Sequence, residues 1–128
     1  SRGLGDVYKR QPWEGAARFD SKWTAEALYN VLDNALKYTP PGGTVTLSVT
    51  AYHMFCCIQV SDTGPGIPEE EQAQIFSRFY RGAAVREQDG LGLGLYLTRR
   101  ILIRQGGYLR LSSRPGQGSE FSLYLPLE

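Results

Sequence analysis

The sequence of 128 residues has little of several residue types that mark special classes of protein. It contains two cysteines, one histidine and one methionine, and its 14 basic side chains nearly balance 13 acidic ones. No apolar run approaches the ~20 residues of a membrane-spanning helix. A net charge of +1 also lacks the basic surplus that nucleic-acid-binding proteins show. We therefore expect a chain that does not span a membrane and does not bind nucleic acid.

The two cysteines and the histidine lie at positions that do not favour a disulfide, a metal site or a catalytic base. Cys56 and Cys57 are adjacent, so in a strand their side chains point to opposite faces. They neither cross-link loops nor match the spacing of metal ligands, which favours free thiols in a reducing cytosol. His53 lies in AYHMF between two strand-like runs and has no acidic neighbour. We therefore predict a turn residue and not a catalytic base.

The length allows one domain with one hydrophobic core, and 41% hydrophobic residues are ordinary for such a domain. The first eleven residues, SRGLGDVYKRQ, show neither strand alternation nor helical periodicity and resemble a translated sequencing adapter. We interpret residues 1–11 as an adapter-derived scar, exclude them from the fold, and assign the domain to residues 12–128. The natural protein is then expected to extend upstream of Pro12.

The remaining chain predicts helices that lie between β-hairpins. In chain order the predicted elements are a helix from Asp20 or Ser21 to about Tyr38, strands at 44–51 and 55–61, helices at 69–76 and 93–105, and strands at 108–113 and 119–125. Leu28, Val31, Leu32 and Ala35 form the buried stripe of the first helix. This order predicts an α/β (α+β) two-layer sandwich, in which a mixed, largely antiparallel sheet carries about three helices on one face.

A second face of the first helix is polar, because Glu26, Asn30, Asn34 and Lys37 recur at helical spacing in ALYNVLDNALKYTP. Two asparagines in mid-helix lower helix propensity without an evident structural benefit. The Asn34 side chain offers an uncharged carbonyl oxygen, which suits Mg²⁺ whose other ligands are phosphates and waters. The alternative is a merely solvated face.

Asp62 follows an apolar strand and opens DTGPGIP, in which Gly64 and Gly66 allow a tight turn close to a ligand. A carboxylate at this place can accept a hydrogen bond from the exocyclic amine of adenine. A plain turn would account for the glycines, but it leaves unexplained the carboxylate at the end of a buried strand.

Two further signatures follow in the chain. Gly90, Gly92 and Gly94 in GLGLGL precede a helix, where free backbone N–H groups and the helix dipole favour phosphate. Their spacing differs from the dinucleotide fingerprint G-x-G-x-x-G. The segment from Ile75 to about Gln88 begins as IFSRFYR and becomes loop-like, which predicts a mobile lid over a bound ligand.

The four signatures, in this order, resemble the asparagine, first glycine, phenylalanine and second glycine boxes of the ATP-binding catalytic domain of bacterial sensor histidine kinases. That domain belongs with gyrase, the heat-shock chaperone ATPase and the mismatch-repair ATPases. The resemblance covers about residues 19–126 and implies a Bergerat-type ATP-binding fold with ATP and Mg²⁺ as cofactors. The catalytic residues it implies are Asn30, Asn34, Lys37 and Arg81, and the nucleotide-binding residues are Asn34, Lys37, Tyr38, Asp62, Thr63, Gly64, Gly66, Ile67, Phe79, Gly90, Leu91, Gly92, Leu93, Gly94, Leu95 and Ser119.

The resemblance also assigns roles. It implies that Asn34 is the metal ligand, that Lys37 contacts phosphate and that Tyr38 packs against adenine. Thr63 and Ser119 would complete the base pocket around Asp62. Arg81 would reach the terminal phosphate, with ordinary surface pairing to the glutamates at 69–71 as the alternative.

The reaction class follows from Asn30. In water-hydrolysing relatives a glutamate stands one turn before the metal asparagine, whereas an amide cannot take a proton near neutral pH. Phosphoryl transfer to a neutral imidazole needs no base, so Asn30 favours a protein histidine kinase. Glu26 remains as a substitute base, and hydrolysis stays open.

The resemblance further implies a parent two-component sensor kinase. Its dimerisation domain would carry the phosphoacceptor histidine and pass the phosphate to a response regulator. This domain would lie in the cytoplasm, and the parent would be anchored in the bacterial inner membrane. Two alternatives are a serine kinase of the anti-sigma-factor type, which lacks the phenylalanine box, and a non-catalytic nucleotide-binding interaction module, which would carry damaged catalytic residues.

Overall fold

The computed structural model describes residues 6–10, 20–78 and 94–127. Its elements are β1 (Asp6–Arg10), α1 (Ser21–Tyr38), β2 (Thr44–Tyr52), β3 (Phe55–Asp62), α2 (Glu69–Gln72), α3 (Gly94–Arg104), β4 (Tyr108–Arg114) and β5 (Gly118–Pro126). Within the described residues no helix has the length and apolar character that crossing a membrane requires.

The strands form one sheet in the order β1-β2-β3-β5-β4. β1 pairs parallel to β2, and the other neighbours are antiparallel, which confirms the predicted mixed, largely antiparallel sheet. His53 occupies the β2–β3 turn, as predicted, with a φ of 54°, and its side chain is exposed. β3 is the central strand, and its last residue, Asp62, pairs with Val45 on one side and Ser119 on the other.

Helices α1 and α3 pack side by side on one face of the sheet, and the core lies between these two layers. Val31 and Ala35 are buried, and Leu28 and Leu32 pack against the core from its edge, which confirms the predicted stripe of α1. Leu102 of α3 is fully buried. Burying an aliphatic side chain of this size contributes about 1.5–3 kcal/mol, so the contact between the two layers stabilises the fold.

Local hydrogen bonds set both ends of α1. The Asp20 side chain caps its start by accepting a hydrogen bond from the Trp23 backbone N–H at 3.1 Å. At its end the buried Thr39 hydroxyl donates to the Ala35 carbonyl at 2.7 Å, and Pro40 stops the helix. The last turn of α1 is thereby brought to the loop that follows β3.

Two predictions about elements were wrong. The segment interpreted as a scar contributes a strand, because Asp6–Arg10 pairs with Thr44 to Ser48 of β2. Strand pairing at a sheet edge uses backbone groups, so it does not require alternating side chains. The predicted helix at 69–76 ends at Gln72, after which Gln74 and Ser77 form overlapping turns.

Candidate functional site

Asp62 forms the centre of the candidate site, at the end of the central strand. Its Oδ1 atom accepts hydrogen bonds from the Gly64 N–H at 2.9 Å and the Ser119 N–H at 3.3 Å. Burial raises the pKa of the Asp62 carboxyl, and these two hydrogen bonds lower it in part. Among the described residues nothing donates to the second oxygen, Oδ2. A partly desolvated carboxylate therefore keeps one oxygen for a ligand.

The loop after Asp62 lies against the end of α1 so closely that only glycine fits. A Cβ atom on Gly64 would lie 2.9 Å from the Tyr38 carbonyl oxygen and 3.0 Å from Asp62 Oδ1. Gly66 has a φ of +77°, and a Cβ atom there would overlap the Arg114 carbonyl. The two predicted glycines thus bring the carboxylate, the end of α1 and the β4–β5 turn together.

Ser113, which the sequence did not single out, holds this loop from the other side. Its hydroxyl oxygen accepts from the Ile67 N–H at 2.8 Å, and it donates to the Gly118 carbonyl at 3.0 Å. The Ser119 hydroxyl lies 2.8 Å from it and is therefore the donor of that bond. Gln72 adds side-chain hydrogen bonds to the carbonyls of Ile67 and Ser113. Ser119 thus contacts the site through its backbone N–H, and its hydroxyl supports the loop.

Thr63 also has a structural partner. Its hydroxyl oxygen accepts from the Thr44 N–H at 2.9 Å, and its own N–H donates to the Thr44 carbonyl at 3.1 Å. These bonds extend the pairing of β2 and β3 by one residue. Its place in a base pocket stays a prediction.

The polar face of α1 points toward the first turn of α3. A Cβ atom on Gly94 would lie 3.7 Å from Asn30 Cβ, which is ordinary contact. The Asn30 Nδ2 atom is buried and has no hydrogen-bond partner among the residues that the structure describes. An unpaired buried donor is costly, so the geometry favours a ligand or a mobile group as its partner.

Farther along the same helix, Asn34 is half-buried and Lys37 forms an ion pair. Lys37 Nζ lies 3.0 Å from Asp33 Oδ2, and both side chains remain about one-third exposed, at 32% and 29%. The i, i+4 spacing of Asp33 and Lys37 could have identified this pair in the sequence.

Helix α1 therefore contacts parts of two other signatures: the loop after β3 through Tyr38, and the start of α3 through Asn30. Leu95 packs partly buried against the core, behind the site. Six further predicted site residues lie outside the described ones: Phe79, Arg81, Gly90, Leu91, Gly92 and Leu93. Glu26, the possible substitute base, is exposed on α1.

Comparison with known proteins agrees with this geometry. The sequence profile of the histidine kinase-, DNA gyrase B- and HSP90-like ATPases matches residues 19–128. The circadian input-output histidine kinase CikA of Synechococcus elongatus is 45% identical over 111 residues, which is 85% of this chain and 15% of that protein. The solved structure of the mycobacterial sensor histidine kinase MprB superposes with a TM-score of 0.84 at 33% identity, covering 98% of this chain and 85% of that one.

A third relative has nucleotide bound. The structure of full-length ShkA in complex with AMPPNP is similar with a TM-score of 0.82 at 29% identity, covering 98% of this chain and 26% of that one. The fold and the site define an ATP-binding domain, and the chain belongs to the family of histidine kinase-, DNA gyrase B- and HSP90-like ATPases. Its relatives confirm the catalytic and ATP-binding domain of a sensor histidine kinase. The chain spans 14–28% of the length of the curated relatives it matches.

Proposed function

We propose that this chain holds ATP between the C-terminal half of α1 and the loop after β3, and passes its γ-phosphate to a histidine on a separate domain. The Asp62 carboxylate carries the proposal, because it is partly desolvated, is held through Oδ1, and receives no hydrogen bond at Oδ2 from any described residue. That oxygen can accept from the adenine amine. Guanine presents a carbonyl oxygen at the same position, and a carboxylate repels it.

The phosphates would extend along the polar face of α1. Lys37 is paired with Asp33 at the surface, and exchanging that weak partner for a phosphate costs little. Among the described residues no group of three His, Cys, Asp or Glu side chains can hold a metal ion. The Asn34 amide oxygen fits Mg²⁺ that takes its other ligands from phosphates and water. Bound there, Mg²⁺ would neutralise phosphate charge.

Asn30 supports transfer over hydrolysis. It stands where a base would have to activate water, and its amide cannot accept a proton near neutral pH. The buried Nδ2 donor has no partner within residues 20–78 and 94–127, so it can hydrogen bond to a ligand. A neutral imidazole attacks with its own lone pair, so the protein needs only to position the reactants and balance charge.

The acceptor histidine is not His53 of the same molecule. His53 lies in the turn before β3, whereas Asp62 ends that strand. Seven residue steps from Phe55 to Asp62 at ~3.3 Å each separate the two ends by about 23 Å. We therefore assign the acceptor to a dimerisation domain of the parent kinase, which would transfer the phosphate to a response regulator. The parent would be anchored in the inner membrane, with this domain in the cytoplasm.

Phosphoryl transfer to a second polypeptide tests the proposal. The chain is incubated with Mg²⁺ and γ-labelled ATP, alone and with a purified helical hairpin that carries a phosphoacceptor histidine. We expect acid-labile label on the hairpin only, unchanged in His53→Asn and lost in Asp62→Ala. Label on His53, mapped by mass spectrometry, would overturn transfer to a separate domain. Label on a serine of a protein substrate would instead support the anti-sigma-factor type, and phosphate release without an acceptor would support hydrolysis.

A further inference from the structure

The outer surface of the α1–α3 pair exposes apolar side chains: Tyr29 and Leu97 lie nearer the nucleotide site, and Trp23 and Ile103 lie at the far end. Trp23 is 54% exposed and Ile103 is 51% exposed. The inward faces of both helices already fill the core through residues such as Val31 and Leu102, so these two side chains do not serve the fold. Tryptophan and arginine dominate the energetic centres of protein interfaces. Such exposure at one end of the helix pair therefore points to a partner.

A hydrogen-bonded link holds the two helices together at this end. Gln105 Oε1 accepts from the Asp20 N–H at 2.7 Å, and Gln105 Nε2 donates to the Thr24 hydroxyl at 3.1 Å. Trp23 precedes Thr24 and Arg104 precedes Gln105, so the link keeps both at the same end of the helix pair. We call Trp23, Arg100, Ile103 and Arg104 the distal helix patch.

The distal helix patch carries more positive than negative charge. Helix α3, GLYLTRRILIR, contains three arginines and no acidic residue. Arg99 lies over the Phe76 ring at 5.8 Å, whereas Arg100 and Arg104 are exposed and form no ion pair with any residue the structure describes. At the start of α1, Lys22 is exposed together with Asp20 and Glu26, so Arg100, Arg104 and Lys22 stand against two carboxylates. The surplus is therefore positive.

The distal helix patch is separate from the nucleotide site. Eleven residues of α1 separate Trp23 from Asn34, which at 1.5 Å per residue is about 16 Å. A partner bound at the distal end would leave the Asp62 pocket accessible.

We propose that the distal helix patch docks an acidic, amphipathic helix of a partner protein. Trp23 and Ile103 supply the apolar centre, and Arg100 and Arg104 pair with carboxylates that flank the apolar stripe of the partner. A membrane surface fits less well, because an interfacial helix buries its apolar face in lipid and α3 has buried that face, Ile101 and Leu102, in the protein core.

The test is an NMR titration of the ¹⁵N-labelled full chain with a designed helical peptide that carries glutamates beside a leucine stripe. Controls are the same peptide with lysine for glutamate, and vesicles of phosphatidylserine and phosphatidylcholine. We expect shifts of the Trp23 indole N–H and of amides in the last two turns of α3 with the acidic peptide alone. The affinity should fall with added salt.

Paired charge reversals locate the contact. Arg100→Glu with Arg104→Glu should weaken binding by at least about tenfold. The matched pair Arg110→Glu with Arg114→Glu, which changes net charge equally on exposed positions of β4, should change it less than about twofold. The proposal would be overturned if both pairs lost peptide affinity equally or if the lysine peptide bound as well as the acidic one. Selective binding of the chain to anionic vesicles would overturn it too. ATP-analogue affinity should stay unchanged in Arg100→Glu with Arg104→Glu, so failure here leaves the proposed function intact.

Discussion

Asp62 shows how a functional side chain opposes stability. Burial raises its folded-state pKa above the ordinary value, although the Gly64 and Ser119 N–H groups lower it in part. A carboxyl with a raised pKa holds its proton more tightly in the folded state. Its ionisation therefore costs stability as pH rises through the folded pKa, and the cost is absent where the carboxyl is protonated in both states.

The substitution Asp62→Asn measures the stability cost of the buried charge independently of ligand binding. The amide keeps an oxygen for the Gly64 and Ser119 N–H groups and removes the desolvated charge. We expect a higher Tm than the parent chain at neutral pH, with a difference that narrows as pH falls toward the ordinary range of an aspartic acid. Thermal unfolding measured across that range checks it. A lower Tm at neutral pH would show that Asp62 is stabilised by a charge interaction.

The ion pair between Lys37 and Asp33 predicts opposite effects from its two partners. Lys37→Met should weaken ATP binding about tenfold, because a charge-assisted hydrogen bond to phosphate is lost. Asp33→Asn frees Lys37 and should leave ATP affinity equal or slightly higher. Neither change should affect adenosine binding, and each should alter stability by less than about 1 kcal/mol. Equal losses for ATP and adenosine would contradict a phosphate contact.

Among the elements, the loop after β3 depends on its close approach to the β4–β5 turn. Gly66 and Gly116 share a left-handed backbone, with φ of +77° and +80°. A Cβ atom on Gly66 would overlap the Arg114 carbonyl, whereas at Gly116 nothing lies within 4 Å. Gly116→Ala should therefore cost only backbone strain, about 1–2 kcal/mol. Gly66→Ala should cost clearly more and weaken ATP binding, as denaturant unfolding and calorimetry can check. Equal costs would show that the loop moves freely.

Strand β1 allows a test of the origin of residues 1–11. β1 pairs along β2 through its backbone, so its removal should lower Tm and expose the β2 edge. Replacing Asp6–Arg10 with an unrelated threonine–valine repeat should restore Tm to within a few degrees, if the sequence of the segment carries no information. Failure of the repeat to restore Tm would instead mark DVYKR as a native strand and contradict the adapter interpretation.

The sequence predicted most elements because their signals are local. The stripe of α1 follows helical spacing, and Pro40 marks its end. The strand at 6–10 was missed because an edge strand pairs through backbone groups that leave no pattern in the sequence. The end of α2 was missed because Gln72 turns its side chain to carbonyls of Ile67 and Ser113, and Ser113 lies far along the chain.

The candidate site was predictable as a set of signatures but not as a set of contacts. Asp62 and Asn30 could be identified because a carboxylate and an amide are unusual at their positions. The supporting role of Ser113 could not, because an ordinary serine in a strand gives no signal until β4 and the loop after β3 meet. The same applies to Thr63, whose hydroxyl bonds to the β2 backbone.

For the whole molecule, the two ends of the α1–α3 pair have different chemistry. One end carries Asn30, Asn34 and Asp62 of the proposed nucleotide site, and the other exposes Trp23 and Arg104 of the proposed docking patch. The helices between them share one core with the sheet. This arrangement suits a catalytic module that binds ATP at one end while it is held by another protein at the other.

The most direct test of the central claim is calorimetric titration with a non-hydrolysable ATP analogue and with its GTP counterpart, each with Mg²⁺ and with chelator. Our account predicts binding that selects adenine and needs Mg²⁺. In Asp62→Ala the affinity should fall about 10- to 100-fold, since a hydrogen bond to a charged acceptor contributes about 1.5–3 kcal/mol. Equal affinity for both nucleotides, or full affinity in a folded Asp62→Ala chain, would contradict the claim that Asp62 reads the adenine base.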